Sequence, residues 1–400
     1  MPKKISPDLC VRCKGVKLLC GLSKCPILER IAGHKKIKRT NYVQGDTPPS
    51  VLTGEYGYPS VWMGPMIEPG GLKFPEDPRR WIRTPLSRVV QGMSSRVNAG
   101  FKLDVKRVDD PRLEEIRWAA LSLRPVEMEA KFLKPISPRV RFDGILAPIG
   151  PRALAEKVSV DGEPKIPAKL EYLVYDKDAK TEQAVVELYS SGIDVYMIQR
   201  TLSLGSLGVK VNRRLVPTRW AITATDSLVG NWLKEKLRDM PEYGGSYLLF
   251  SSYYEGNKYL VAVLPGTLDL EIFEIWLPRG LWTGDKPVIM RNEEDRRGLS
   301  YMDGGHYAIR VACFEKLYHM RRQAKVLAIR EIGPEYFAPV GVWQVREGVR
   351  LALRGEPRKF DNVEDLINAI KASLKYGFQV IQSKILREYM GLITKITDFM

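Results

Sequence analysis

Four of the five cysteines of this 400-residue chain lie within one short N-terminal segment, CVRCKGVKLLCGLSKC, residues 10–25. They are Cys10, Cys13, Cys20 and Cys25, with the spacing Cys-x2-Cys-x6-Cys-x4-Cys. Two thiolates separated by two residues can bind the same metal ion, and two further sulfurs complete a tetrahedron with Zn–S bonds of about 2.3 Å. Thiolates are soft ligands, which suit zinc better than a cation that prefers oxygen. The spacing therefore predicts one structural Zn²⁺ site near the start of the chain.

Two alternatives to zinc binding are disulfide bonds and an iron–sulfur cluster. Disulfide bonds are disfavoured, because the N-terminus has no apolar signal-peptide region and the expected compartment is the reducing cytoplasm. An iron–sulfur cluster also uses four thiolates, and the spacing does not exclude it. The fifth cysteine, Cys313, lies in the apolar helical stretch YAIRVACFEKL and is predicted to be a buried small hydrophobic residue.

The chain carries a strong excess of positive charge, +16 at pH 7. Residues 1–44 contribute eleven Lys or Arg against Asp8 and Glu29, so this segment holds +9 of the excess. Such a surplus favours a polyanionic partner, although a solvated terminus that only aids solubility would look similar. No apolar run reaches the ~20 residues of a membrane span, so nucleic acid rather than a membrane is the predicted partner. The basic residues expected to contact it after the cysteines are Lys35, Lys36, Lys38 and Arg39.

The order of predicted elements indicates an α+β (mixed α/β) fold. Segments 169–177, 180–192 and 193–200 are predicted to form a strand, a helix and a strand, which would suit a right-handed crossover. Residues 247–265 predict a β-hairpin, and helices dominate after about residue 285. The predicted divisions are 1–45, a four-cysteine zinc finger with a basic segment; 46–288, a mixed α/β N-terminal domain; 289–392, a helix-rich C-terminal domain; and 393–400, a tail.

Arginines alternate with aromatic residues in two stretches, RRLVPTRWAITATD (213–226) and RRQAKVLAIREIGPEYFAPVGVWQVREGVR (321–350). One guanidinium group can donate two hydrogen bonds to the oxygens of a phosphate, and aromatic rings stack on bases. The residues predicted to contact nucleic acid here are Arg213, Arg214, Arg219, Trp220, Arg322 and Arg346. The structural alternative is that Arg–carboxylate pairs join helices while Trp220 and Trp343 lie in the core.

No established catalytic motif is present: the sequence lacks a Walker loop, GxGxxG after a strand, HExxH and GxSxG. Polar residues embedded in apolar segments nevertheless indicate a pocket, with Asp226, Asp303, His306 and Glu331 as its candidates. Together with Arg219 they are predicted to line one cleft, where the carboxylates could hold Mg²⁺ for phosphodiester chemistry. Spacing alone does not bring these residues together, so the question of catalysis stays open.

Five segments, in this order along the chain, closely resemble the archaeal Nre family of DNA repair proteins: CVRCKGVKLLCGLSKCP, VPTRWAITATD, GGHYAIR, RRQAKVLAIREIGPEY and PVGVWQVREGVR. The resemblance runs from residue 10 to the C-terminus. It implies an N-terminal four-cysteine zinc finger, a larger N-terminal region, a C-terminal domain, a role in DNA damage repair, and binding to the sliding clamp PCNA. The resemblance assigns no catalytic residue.

The clamp contact of that family is a C-terminal peptide of the form Gln-x-x-aliphatic-x-x-aromatic-aromatic, the PIP motif. This chain ends ITKITDFM, with Ile396 at the aliphatic position, Phe399 at the first aromatic position and Met400 at the second. Ile393 stands where glutamine is usual. The resemblance thus implies a PCNA contact at Ile396, Phe399 and Met400, and a second candidate is QSKILREY, residues 382–389.

Three functions compete at this point. The first is a DNA repair factor that binds DNA and docks on PCNA, with one structural zinc ion. The second is a metal-dependent repair enzyme that processes nucleic acid. The third is an RNA-binding or ribosome-associated zinc protein, since zinc knuckles with basic flanks serve there too.

Overall fold

The structure, a computed structural model, describes residues 5–35, 37–48, 50–71, 73–136, 147–295, 298–299 and 303–392. Its contacts divide the chain into two units. One unit consists of residues 26–229, and the other joins residues 1–25 to residues 230–400.

The cysteine segment begins with the short helix α1 (Pro7–Cys13). The side-chain oxygen of Ser6 accepts a hydrogen bond from the N–H of Leu9 at 3.2 Å and so caps the helix. The helix ends at Lys14, which adopts the left-handed conformation. Because Cys10 and Cys13 stand three residues apart on α1, they lie on the same face of the helix.

The unit of residues 26–229 contains a six-stranded mixed sheet. Its strands are β1 (Thr40–Thr47), β2 (Val51–Thr53), β3 (Ser60–Ile67), β4 (Val97–Asp104), β5 (Val126–Ile136) and β6 (Arg152–Asp161). The strands lie in the order β1-β5-β6-β4-β3-β2. Strands β4 and β6 run parallel, and the other neighbours are antiparallel.

Helices make up most of the rest of this unit. They are α2 (Pro26–His34), α3 (Pro78–Trp81), α4 (Leu86–Ser94), α5 (Arg112–Leu121), α6 (Ala168–Tyr175), α7 (Thr181–Ser190), α8 (Val195–Ser203) and the start of α9 (Thr218–Arg238). Helix α9 begins in this unit and ends in the other.

The predicted strand–helix–strand crossover is wrong in its two strands. Residues 169–177 and 193–200 fall in the helices α6 and α8, and only the predicted helix between them, α7, is confirmed. In α6 the buried residues Leu170 and Leu173 stand three apart, which is a helical spacing. At the start of α8, the Asp194 side chain accepts a hydrogen bond from the N–H of Tyr196 at 2.8 Å. The hydrogen bond that caps α8 and the helical spacing of the buried residues in α6 therefore favour helices, although both segments are rich in residues that are common in strands.

The second unit contains a seven-stranded mixed sheet. Its strands are β7 (Tyr247–Tyr254), β8 (Asn257–Leu264), β9 (Asp269–Trp276), β10 (Val288–Asp295), β11 (Gly298–Leu299), β12 (Lys325–Ile332) and β13 (Arg358–Phe360). They lie in the order β11-β10-β9-β12-β8-β7-β13, with β9 and β12 parallel. The predicted hairpin is confirmed, since β7 and β8 pair antiparallel across the turn at Glu255-Gly256.

Helices cover both faces of this sheet. They are α10 (Gly304–Met320), α11 (Trp343–Arg354), α12 (Val363–Ser373) and α13 (Lys384–Tyr389), with a 3₁₀ turn at Gly377–Gln382. Side chains of β8, β9 and β12 form one hydrophobic core with α12 and α13, in which Phe273, Leu327 and Leu366 are buried. On the opposite face, the Tyr259 hydroxyl of β8 donates a hydrogen bond to the carbonyl oxygen of Gln344 in α11 at 3.1 Å. Every residue of β12 is buried, as expected for a central strand covered on both sides.

The predicted domain boundary at 288/289 does not match the units of the structure. Strand β9 lies before that boundary and β10 and β12 lie after it, yet all three are neighbours in one sheet. The predicted helix-rich C-terminal domain is therefore only part of a mixed α/β unit that begins near residue 230. The mixed α/β class itself is confirmed by both sheets.

No helix within the ranges that the structure describes combines the length and apolar character that crossing a membrane requires.

Candidate functional site

Polar side chains converge where α10 begins, on the face of the seven-stranded sheet that α10 and α11 cover. The carboxylate of Asp303 caps α10, accepting hydrogen bonds from the N–H groups of Gly305 at 2.8 Å and His306 at 3.1 Å. This cap fixes the first turn of the helix and holds the His306 ring inside the protein, where it is 2% exposed. Asp303 keeps contact with solvent, since its side chain is 45% exposed.

Glu274 of β9 completes this cluster from the sheet. Ligand atoms of Glu274, Asp303 and His306 all lie within 4.8 Å of one another, and no other His, Cys, Asp or Glu triplet in the described ranges meets this criterion. The ring nitrogen Nε2 of His306 lies 2.7 Å from Nδ2 of Asn292 in β10. We call Glu274, Asp303 and His306 the α10 cluster.

The charge state of Asp303 is set by these neighbours. Burial alone would raise the pKa of its carboxyl group. The adjacent His306 side chain and the N–H groups of Gly305 and His306 outweigh that effect and lower the pKa to about 2. Asp303 is therefore a carboxylate throughout the physiological pH range.

Arg330 of β12 supports the cluster from the centre of the sheet. Its Nη1 donates to Oε1 of Glu274 at 2.6 Å, and its Nε and Nη2 donate to Oδ1 of Asn257 at 3.1 and 2.7 Å. The guanidinium lies over the rings of Trp276 and Tyr336, at 5.5 and 5.7 Å from their centroids. This packing holds Glu274 in one orientation and offsets part of its charge.

A second buried charge group lies on the same face of the sheet, beside the α10 cluster. Arg310 of α10 donates from Nε and Nη2 to the two carboxylate oxygens of Glu294, and the Nη2 bond is 2.7 Å long. Lys234 lies 2.9 Å from the same carboxylate, and Oδ1 of Asn231 accepts a third hydrogen bond from Arg310, at 2.8 Å. Glu294 is thus fully engaged by two cations, which sets it apart from the carboxylates of the α10 cluster.

The structure brings together only part of the predicted cleft. Asp303 and His306 meet in the α10 cluster, whereas Glu331 projects to the opposite face of the sheet and accepts a hydrogen bond from the N–H of Tyr376 at 3.1 Å. Asp226 is buried in the other unit, where Nε2 of Gln199 donates to it at 3.3 Å. Arg219 belongs to that unit as well.

Sequence reasoning missed Glu274 and Asn292. One signal could have identified Glu274: the strand LEIFEIW places charged residues among apolar ones, and Glu274 is buried there at 2% exposure. A charged residue in a buried strand requires a partner, and here the partner is Arg330. The sheet order that makes β9 and β12 neighbours was not available from the sequence.

The predicted nucleic-acid contacts divide into exposed and structural residues. The exposed ones are Lys35, Lys38, Arg39, Arg219, Trp220 and Arg322, while Lys36 lies outside the described residues. Arg346 is completely buried, and the guanidinium of Arg213 donates to the carbonyl oxygens of Gly208 and Val174 at 2.7 and 2.8 Å. Arg214 donates to the carbonyl of Val211 at 3.0 Å. Arg213 and Arg214 are half-buried and bond to backbone carbonyl oxygens rather than to the carboxylates that the structural alternative expects, so for these residues and Arg346 nucleic-acid binding stays a prediction.

Trp220 lies at the surface, contrary to the structural alternative, whereas Trp343 is buried as that alternative expects. The Trp220 ring is 46% exposed and lies 5.2 Å from the ring of Tyr58, centroid to centroid, with the planes tilted by 45°. Tyr56, in the same loop as Tyr58, is 93% exposed. Beside them the Arg219 side chain is 82% exposed and lies 3.5 Å from Glu55. We call Tyr56, Tyr58, Arg219 and Trp220 the aromatic patch.

Cys10, Cys13, Cys20, Cys25 and Cys313, all within the described ranges, form no disulfide bond with one another, and no three of the four N-terminal sulfurs lie within 4.8 Å of one another. Burial raises the pKa of the Cys20 thiol, and the sulfurs of Cys13 and Cys25 are close enough to raise it further. The predicted burial of Cys313 is confirmed, since it is 1% exposed within α10. The predicted clamp residues Ile396, Phe399 and Met400 lie outside the described residues.

Comparisons with known proteins match nearly the whole chain. A family model described as "Archaeal Nre, N-terminal" matches residues 19–283, and one described as "Archaeal Nre, C-terminal" matches residues 291–399. The break between these two models falls close to the boundary predicted from the sequence at 288/289, although the sheet crosses it.

Three relatives carry curated names. DNA repair protein NreA of Archaeoglobus fulgidus is 37% identical over 365 residues, which cover 90% of this chain and 92% of that protein. DNA repair protein NreB of the same organism is 33% identical over 367 residues, again 90% of this chain and 92% of that protein. DNA repair protein NreA of Haloferax volcanii is 32% identical over 381 residues, 89% of this chain and 90% of that protein.

Proposed function

The chain belongs to the archaeal Nre family, and from that membership we propose that it is a DNA repair factor that binds DNA and docks on PCNA. The names of its relatives support the repair role.

The aromatic patch is the observation that carries the DNA-binding proposal. Soluble proteins bury most large aromatic rings, yet Tyr56, Tyr58 and Trp220 are all at least 46% exposed within one small area. Unpaired bases stack on exposed aromatic rings, with a contribution of about 1–3 kcal/mol per base. Arg219 supplies a cation at the same place, because its contact with Glu55 is a solvent-exposed ion pair that contributes little. The arrangement fits single-stranded DNA better than a paired duplex, whose bases are already stacked.

The basic N-terminal segment supports the same proposal. Its +9 charge would release counterions from the DNA phosphates on binding, which makes the affinity fall with salt. Cys10 and Cys13 lie on one face of α1, and with Cys20 and Cys25 they offer four soft ligands of the kind that a structural zinc ion takes. A bound zinc ion would order this segment and so fix the positions of its lysines and arginines.

The clamp contact is proposed for the last eight residues, on the sequence alone. Ile396, Phe399 and Met400 stand at i, i+3 and i+4, so a single helical turn places them on one side. Phe399 is the expected anchor, because buried aromatic side chains dominate interfaces of this kind. Without glutamine and a second aromatic residue the affinity should be micromolar, about −8 kcal/mol.

Fluorescence anisotropy with labelled oligonucleotides tests the DNA-binding proposal. The full-length protein should bind single-stranded DNA, and Trp220→Ala should weaken the affinity about tenfold, which is ~1.4 kcal/mol. Tyr172→Ala is the matched control, since Tyr172 is 62% exposed in the same unit and also lies beside a lysine. If Trp220→Ala and Tyr172→Ala bind DNA equally well, the aromatic patch is not the contact. Tighter binding of RNA than of DNA of the same sequence would favour the RNA-binding alternative instead.

Calorimetry against PCNA tests the clamp contact. The intact protein should bind, whereas Phe399→Ala and a variant that lacks residues 393–400 should lose the binding heat. Equal affinities for the three proteins would show that the tail is not the docking element.

A further inference from the structure

We propose that the α10 cluster binds a divalent transition-metal ion through Glu274, Asp303 and His306. Two carboxylates and one imidazole form a mixed oxygen and nitrogen ligand set, which suits Mn²⁺, Fe²⁺ or Co²⁺ better than an alkali ion or a purely thiolate-seeking metal. This site is separate from the four cysteines in the sequence and in its chemistry. The inference goes beyond the repair role proposed above and does not depend on it.

The His306 ring provides the strongest argument. Its Nδ1 is buried and lies 2.9 Å from Oδ1 of Asp303, but among the described residues it has no partner with hydrogen-bond alignment. A buried polar atom of this kind normally has a partner, because leaving it unsatisfied costs free energy. A cation between Nδ1 and the two carboxylates would satisfy it.

The side-chain amide of Asn292 is compatible with the tautomer that a metal site requires. Its side-chain amide faces Nε2 of His306 at 2.7 Å and can present either its nitrogen or its oxygen to that atom. With the oxygen turned toward Nε2, the ring donates its proton there and keeps the Nδ1 lone pair for the metal. Histidine ligands in metal sites usually donate their second ring N–H to such a partner.

Gly305 leaves room beside the carboxylate oxygens of Asp303 and Glu274. A Cβ at this position would lie 3.2 Å from Oδ1 of Asp303 and 3.5 Å from Oε1 of Glu274. Any other residue would therefore place its side chain against the oxygens of both carboxylates. The backbone does not require glycine here for conformational reasons, since Gly305 is not among the glycines with positive φ.

The charged side chains around the α10 cluster do not fully neutralise its two carboxylates. Arg330 occupies Oε1 of Glu274, and the cations Arg310 and Lys234 are held by Glu294. The two carboxylates of the cluster, Glu274 and Asp303, share one guanidinium, that of Arg330. Because Asp303 is half exposed, an ion could enter from solvent and keep coordination positions for water or a phosphate oxygen.

Mn²⁺ binding followed by electron paramagnetic resonance tests the site. Free Mn²⁺ loses its signal on binding, and thiolates bind this ion poorly, so a zinc-loaded cysteine segment does not interfere. The full-length protein should take up one equivalent. Asp303→Asn should weaken uptake at least tenfold, while the cap of α10 survives because Asn caps a helix as well as Asp does.

Two further variants make the result decisive. Asp194→Asn makes the same change at the cap of α8, outside the cluster, and should bind Mn²⁺ as the wild type does. Gly305→Ala keeps all three ligand residues and introduces a better helix former. It should also weaken binding, because its Cβ would lie 3.2 Å from Oδ1 of Asp303 and 3.5 Å from Oε1 of Glu274. The proposal is overturned if the wild type takes up no Mn²⁺, or if Asp303→Asn and Gly305→Ala both bind it as tightly as Asp194→Asn.

Discussion

Replacing Arg330 tests how much the buried polar network contributes to the stability of the second unit. The Arg330→Met variant keeps an apolar chain of similar length but removes the guanidinium, which is 4% exposed. It eliminates the bond to Glu274 and both bonds to Asn257, and the contacts with the rings of Trp276 and Tyr336. The change leaves the Glu274 carboxylate buried without its cation.

The expected cost follows from that buried charge. Removing one partner of a buried ion pair costs about 3–5 kcal/mol, because the other charge is left uncompensated. Each lost cation–π contact adds about 0.5–1 kcal/mol. We therefore expect Arg330→Met to lower the free energy of unfolding by about 4 kcal/mol. Arg322→Met is the control, since Arg322 is exposed, and it should change stability by less than about 0.5 kcal/mol.

Urea denaturation followed by circular dichroism measures both variants, and a double-mutant cycle isolates the pair. Glu274→Gln alone leaves Arg330 buried without its anion, whereas the double variant leaves neither charge. The double variant should therefore be more stable than the sum of the two single effects predicts, by at least about 1.5 kcal/mol. If Arg330→Met lowers the free energy of unfolding no more than Arg322→Met does, or if the two single effects add in the cycle, the buried network does not stabilise the second unit.

Three further predictions concern other sites. Cys20→Ser should release the one zinc ion and disorder the N-terminal segment, and elemental analysis of the purified protein should find zinc in the wild type, whereas iron would overturn the assignment. Gly348→Ala should lower the free energy of unfolding by about 1–3 kcal/mol, because its Cβ would lie 2.3 Å from Cε2 of Tyr259 and push α11 away from β8; unchanged stability in urea would contradict this packing. Since the pKa of Asp303 is lowered to about 2 from 3.8, its charge stabilises the fold above about pH 4, and this contribution is lost as the pH falls toward 2. In Asp303→Asn the free energy of unfolding should therefore fall less steeply between pH 4 and pH 2 than in the wild type. An equally steep fall in both proteins would argue against the lowered pKa.

The sequence predicted those parts of the fold that short-range signals determine. The β7–β8 hairpin was identifiable because a turn-forming Glu-Gly-Asn stands between two apolar runs. Helices α6 and α8 were not, because in segments of eight or nine residues the aliphatic and aromatic residues that favour strands obscured a helical spacing of buried positions. Amino-acid composition and turn residues alone do not distinguish a helix from a strand in segments this short.

The candidate sites show the same limit. Asp303 and His306 were found together because one helical turn separates them. Glu274 was missed because it joins them only through the position of β9 beside β10 and β12, which is a long-range property of the sheet. The exposure of Trp220 could not be derived from the sequence either, since an arginine–aromatic stretch is compatible with both a surface and a core position.

Photo-crosslinking shows directly whether the aromatic patch binds DNA. A single-stranded oligonucleotide that carries 5-iododeoxyuridine would be irradiated with the full-length protein, and the crosslinked peptides identified by mass spectrometry. We expect crosslinks at Trp220 and at Tyr56 or Tyr58, which disappear when unlabelled DNA competes. Crosslinks that fall only in peptides outside the patch, or a complete lack of competed crosslinks, would contradict it.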